Sequence, residues 1–258
     1  MDASILIAIT ACIASFLTFF SGFGLATLLT PVMLAFFPVE VAIALTGIVH
    51  LLNNFFKIGL VWKHINWKIA IRFGIFAAAG AFIGALVLAY ISARNIGYSY
   101  MIGDRIISTS LVKLVIAVLL IVFVLIEFFP RLKMLKLNKD LIYGGGFASG
   151  FFGGLSGHQG ALRSAFLISF GLTKEQFIAT GIVIACFIDI TRLSVYFSSL
   201  STDYIYGNST VLIIAVLAAF LGAFAGNKMM KKMTYSFIQK FVLIAILLFS
   251  IALGMGVV

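Results

Sequence analysis

The stretch Gly144–Gly171 reads GGGFASGFFGGLSGHQGALRSAFLISFG. Most of it is apolar enough for a bilayer, but its middle, Gly153-Gly154-Leu155-Ser156-Gly157-His158-Gln159-Gly160, makes a poor helix. A glycine costs about 1 kcal/mol in a helix interior, and four of these eight positions are glycine. Non-helical backbone is tolerated at membrane depth only where protein buries it or where it lines a water-filled cavity. The stretch is therefore expected to form two short helices meeting at a polar break over Gly153–Gly160, with Arg163 one turn into the second. A milder copy stands near the N-terminus: Ala3–Phe20, then Ser21-Gly22-Phe23-Gly24, then Leu25–Phe37. Paired interrupted hydrophobic segments are a sequence pointer to a transporter's binding site.

The rest of the chain supports a membrane setting. Of its 258 residues 63% are hydrophobic and only 10% charged, with a mean hydropathy of +1.20, whereas a soluble domain carries about 25% charged residues. Asp2 stands where a signal peptide would have a basic n-region, so the first segment reads as structure rather than a cleaved address. The net charge of +10 fits lysines and arginines gathered at the cytoplasmic ends of helices, against anionic lipid; no nucleic-acid partner is expected. Cys12 and Cys186 lie in separate apolar segments without a CxxC spacing and read as small packing residues. The sequence has no metal-ligand cluster, Walker A loop or nucleophile elbow, so no metal, cofactor or enzymatic activity is expected.

A helix needs about 20 apolar residues to span a bilayer. By that ruler 3–37 is a span interrupted at Ser21–Gly24, and 41–62, 69–90 and 111–129 are plain spans. The pattern then repeats: 141–172 interrupted at Gly153–Gly160, followed by 176–200, 210–226 and 237–257. With an offset of 135, Ser21-Gly22 falls on Ser156-Gly157, Glu40 on Glu175, Asn54 on Asp189 and Lys57 on Arg192. Thr46-Gly47 meets Thr180-Gly181 one residue out of register, and Gly80/Gly84 and Gly222/Gly226 give each half a GxxxG pair. Such pairs let helices approach closely, within one chain or between two chains of a homodimer. The expected units are repeat 1, residues 1–130, and repeat 2, residues 131–258.

Basic residues set the expected topology. Lys63, Lys68 and Arg72, then Arg131, Lys133, Lys136 and Lys139, then Lys228, Lys231 and Lys232 all belong inside under the positive-inside rule. That holds only if 141–172 enters and returns to the same face as a hairpin. If 3–37 is also a hairpin, each half is a hairpin plus three spans, and the odd number turns the halves upside down relative to each other. The expected fold is thus an all-α membrane protein of two inverted repeats, each a glycine-broken helical hairpin plus three transmembrane helices. A single crossing by 3–37 is the alternative, and only Asp2 marks that end.

Ionisable groups at membrane depth are costly and mark pathways. His50, Asn53, Asn54 and Lys57 share one helix face at i, i+3, i+4 and i+7, and Thr180, Asp189, Arg192 and Tyr196 form a sparser face on the counterpart segment. Lys57 has the alternative of snorkelling to the surface, and Asp189 and Arg192 that of neutralising each other at i, i+3. His158 sits in the break and changes charge near neutral pH, so it and Asp189 are the candidates for a coupling proton; a packing contact is the plainer role for His158. Arg163 reads as a substrate contact or as a structural partner of Asp189. Helix N-termini after Ser21-Gly22 and Ser156-Gly157 offer N–H groups and positive dipole ends to an anion, with Ser21, Ser156 and Gln159 as further donors. Lys57, Arg163 and Arg192 stand against Asp189 alone, which favours a small anionic substrate.

The segment SGFGLATLLTPVML with Pro31, followed by ALTG, and GLSGHQGALRSAFLISFGL, followed by IATG, resemble the glycine-rich motifs of the sulfite exporter TauE/SafE family. The resemblance spans the whole chain. The second motif departs from the pattern, lacking the proline and carrying His158, Gln159 and Arg163. The resemblance implies a secondary carrier of sulfite, an organosulfonate or a related anion, working outward by alternating access in the cell inner membrane. Its motif residues carry over to Ser21, Gly22, Gly24 and Pro31 and to Ser156, Gly157 and Gly160. An anion channel is the alternative within transport, and a membrane enzyme or anchoring subunit the alternative outside it.

Overall fold

The computed structural model describes residues 3–21, 25–94, 96–102, 105–128, 141–199, 207–229 and 236–257. The N-terminal broken segment forms α1 (Ala3–Ser21) and α2 (Leu25–Leu34), with Gly22–Gly24 outside the described residues. Then come α3 (Val39–Val61), a 3-10 turn (Trp62–His64) and α4 (Trp67–Ala93). Asn66 caps α4, its side-chain oxygen accepting from the Ile69 amide at 3.2 Å. After α5 (Leu111–Phe128) the second broken segment forms α6 (Ile142–Ser156) and α7 (Gly160–Ile168), followed by α8 (Lys174–Ser199), α9 (Ser209–Met229) and α10 (Ser236–Gly254). Among the described residues four helices are long and apolar enough to cross a membrane: Val39–His64, Trp67–Ala93, Lys174–Ser198 and Ser209–Met229. Leu217, Leu221 and Phe224 on α9 and Ile75, Phe82 and Leu86 on α4 are exposed, an apolar rim suited to lipid rather than water.

Two expectations need correction. The second break spans Gly157–Gln159, not Gly153–Gly160, because α6 runs helically to Ser156. Gly157 then caps it with φ +80°, a left-handed conformation that favours glycine, and its N–H donates to Gly153 O at 2.9 Å. The glycines upstream serve packing instead. A Cβ on Gly150 would come within 1.8 Å of Ala77 O, and one on Gly154 within 2.2 Å of Ala81 O. From the other side, a Cβ on Gly80 or Gly84 of α4 would meet the carbonyls of Phe147 or Phe151 at 2.1 and 2.0 Å. Backbone lies on backbone, and this close contact offsets the helix penalty of glycine.

The second correction concerns residues 91–110, which lie between the expected spans 69–90 and 111–129 of an all-α fold. They hold an antiparallel hairpin, β1 (Gly97–Ile102) and β2 (Arg105–Ser110), paired from Gly97↔Ser110 to Ile102↔Arg105. Aromatic and β-branched residues such as Tyr98, Tyr100, Ile107 and Thr109 suit strands. Tyr100 donates its hydroxyl hydrogen to Met255 O and so ties the hairpin to the end of α10.

Helices pair reciprocally between the halves. α4 lies on α6 and α1 on α9, where a Cβ on Gly222 would meet Cys12 O at 2.0 Å. α3 lies on α8, and α5 on α10. The two helix faces that carry polar residues therefore meet in the interior.

Candidate functional site

α3 turns His50, Asn53, Asn54 and Lys57 inward, and all four are buried. α8 meets them with Asp189 and Arg192, both wholly buried. The break between α6 and α7 adds Ser156, Gly157, His158 and Gln159, and the first turn of α7 adds Arg163, which is 7% exposed.

Asp189 is the hub. Its Oδ1 accepts from Arg192 Nε at 3.0 Å and pairs with Nη2 at 2.9 Å, while Gln159 Nε2 lies at 3.5 Å. Its Oδ2 is 2.6 Å from His50 Nδ1. A carboxylate only accepts, so Nδ1 carries the hydrogen. Asn54 Nδ2 also donates to Oδ2, at 3.4 Å. Arg192 is wedged between glycines: a Cβ on Gly47 would lie 3.1 Å from Nη2, and one on Gly157 would lie 3.0 Å from Nη1. A Cβ at either position would require the guanidinium to give by a few tenths of an ångström.

Arg163 is placed differently. Among the described residues its side chain makes no ion pair and one hydrogen bond, from Nη1 to Gln159 Oε1 at 3.4 Å. It faces a cleft with about 470 Å³ of space not filled by atoms, part of it open to the outside. Thr18, His50, Asn54, Lys57 and Ser164 supply the polar lining, and apolar residues such as Leu167, Phe177 and Ile182 the rest. Among the described residues no carboxylate lines this cleft. Lys57 is 3% exposed, so its ammonium does not snorkel to a surface. It donates to Thr18 Oγ1 and, with the Asn53 amide turned to the orientation that satisfies its neighbours, at 3.1 Å to Asn53 Oδ1, the amide nitrogen then facing Ser15 Oγ and Ala219 O.

Of the residues singled out in the sequence, Asn54, Lys57 and Arg163 line the cleft. Asp189, Arg192 and Gln159 stand behind it as the network that holds His50 and Arg163. His158 lies apart from the cleft lining. Its Nδ1 donates to Ser156 O at 2.8 Å and its ring stacks on Phe123 at 6.2 Å, leaving buried Nε2 without a partner. Ser156 returns its hydroxyl to Phe152 O. Gly22, Gly24 and the side chain of Ser21 lie outside the described residues. Sequence reading placed His50 on the polar face but gave it no role, and it missed Thr18 and Ser164. Lone hydroxyls in apolar helices carry no sequence signal of their own. His50 did carry one, sitting one turn before Asn54, the residue that the 135 offset sets on Asp189.

Among the described residues no group of three or more His, Cys, Asp or Glu side chains could hold a metal ion. A buried cationic cleft inside a bundle of apolar helices fits a membrane transporter for anions. The family model for the sulfite exporter TauE/SafE proteins matches residues 7–253, nearly the whole chain, and the protein belongs to that family. It is a family of membrane transporters for sulfite and related sulfur anions, not of enzymes. Searches of curated proteins and of solved structures returned no significant match.

Proposed function

We propose that the protein is a secondary transporter that exports a small sulfur oxyanion, such as sulfite or an organosulfonate, across the cell inner membrane by alternating access. The observation that carries this reading is Arg163: a buried guanidinium that, among the described residues, is in no ion pair and faces a cleft lined by no carboxylate. An uncompensated buried charge costs several kcal/mol, and a bound anion removes that cost. Lys57, Asn54 and Ser164 add charge and hydrogen-bond donors around the same space.

Two inverted repeats, 1–130 and 131–258, are part of the reading. The reciprocal pairing of α4 with α6 and α1 with α9 supports it. So does the contact between Asn54 and Asp189, which the 135 offset makes equivalent and which lie within hydrogen-bond distance. Equivalent residues touch only where a two-fold axis passes between them. Under the positive-inside rule, Lys63, Lys68 and Arg72 place the C-terminal end of α3 in the cytoplasm. The cleft lies toward that end, between Lys57 and the first turns of α8, so it faces inward in this state. The pair Asp189–Arg192 and the glycines Gly47 and Gly157 close the other side.

Labelled sulfite and sulfonates in proteoliposomes test the proposal. Arg163→Ala is expected to lower flux by about tenfold to a hundredfold, the worth of a charge-assisted hydrogen bond, with the protein still monodisperse in detergent. Undiminished transport by that variant would remove Arg163 from the site, and no transport of these anions by the unaltered protein would remove the reading itself.

A further inference from the structure

We infer that His50 is the proton-binding group of this cleft and that, through it, proton and oxyanion bind together and cross together. The inference rests on the anion-transport reading above. His50 combines two properties that no other described titratable side chain has. It lines the cleft, and its Nδ1 lies 2.6 Å from the fully buried carboxylate of Asp189. With Nδ1–H held by Asp189, the ring's Nε2 bonds to no described residue and is the atom that takes up a proton.

The charged and titratable groups around His50 come from every neighbouring element. Asp189 and Arg192 face it from α8, Arg163 from α7, His158 from the break, and Lys57 stands two turns along α3. Asp189 already balances Arg192, so a proton on His50 Nε2 adds one positive charge to the cleft. That charge favours the oxyanion at Arg163, and by linkage the bound oxyanion favours the proton to the same degree. The step is a simple uptake: one proton from cleft water gives an imidazolium whose counter-ion is Asp189, and its release on the opposite side restores neutral His50. His158 fits the role less well, because its Nδ1 is held by Ser156 O, its ring stacks on Phe123, and it does not line the cleft.

Two measurements on the full-length protein in proteoliposomes separate this from a structural role. Equilibrium exchange of labelled for unlabelled organosulfonate, at equal pH on both sides, needs no net proton movement. Net uptake driven by a pH gradient needs the proton site when the labelled anion is an organosulfonate, which, unlike sulfite, binds no proton of its own near neutral pH. For His50→Gln the ratio of gradient-driven uptake to exchange is expected to fall on the order of tenfold. His50→Arg, with a permanent charge, is expected to exchange the organosulfonate without responding to the gradient. The inference fails if His50→Gln keeps its response to the gradient, or if uptake and exchange fall in parallel in folded His50 variants. It also fails if His158→Gln loses the gradient response that His50→Gln keeps. A wild-type protein that shows no exchange at all defeats the transport reading first, and the proton site with it, without recourse to any variant.

Discussion

Two buried arginines separate structure from substrate. Arg192 is neutralised by Asp189 through Nε and Nη2, whereas Arg163 has only Gln159. Asp189→Asn leaves Arg192 buried without a counter-charge, a loss of about 3 kcal/mol or more. The expected outcome is a lower thermal midpoint in detergent, part of which returns when Arg192→Gln is added, because the second change removes the stranded charge. A double variant no more stable than Asp189→Asn alone would count against this pairing. Arg163→Gln removes a charge that is in no ion pair among the described residues, so it is expected to leave the midpoint within a few degrees while abolishing stabilisation by sulfite.

Among the elements, the α4–α6 contact is the most sensitive to single atoms. Gly150→Val places carbon where Ala77 O already sits and must push the helices apart, a cost of about 1–3 kcal/mol or more. Gly144 lies on the same helix with nothing within 4 Å of a built Cβ. Gly144→Ala is therefore expected to be neutral or slightly stabilising. Thermal unfolding of the two variants, measured side by side, checks the contrast; equal losses would mean that glycine's conformational freedom, not helix approach, sets its place in α6. The same logic makes the glycine-rich character of α6 a feature of packing, and the functional break a matter of three residues.

For the whole molecule, the proposed inward-facing state puts the cleft on one side of Asp189 and the packing of Arg192 against Gly47 and Gly157 on the other. In a background lacking Cys12 and Cys186, Ile182→Cys on the cleft wall is expected to react with an impermeant maleimide added from the cytoplasmic side. Thr46→Cys, buried on the closed side, is expected to be spared. Saturating sulfite should shift the ratio of the two rates, since a ligand redistributes a carrier between its states. Labelling of Ile182→Cys only from the periplasmic side would reverse the assigned orientation.

Composition and the two broken segments were enough to establish a helical membrane protein with a cationic interior, because a bilayer tolerates few alternatives to apolar helices and penalises every stray charge. The face His50–Lys57 and the match of Asn54 to Asp189 were readable too, since helical spacing and an internal offset are properties of order along the chain. The hairpin Gly97–Ser110 and the true extent of the break were not, because each depends on neighbours distant in sequence: Met255 for one, Ala77 and Ala81 for the other. Nor could spacing tell which arginine is spent on Asp189, or that His50 rather than His158 reaches the cleft. Charge type is written in the chain, but pairing is decided by which side chains come within about 3 Å once the helices pack.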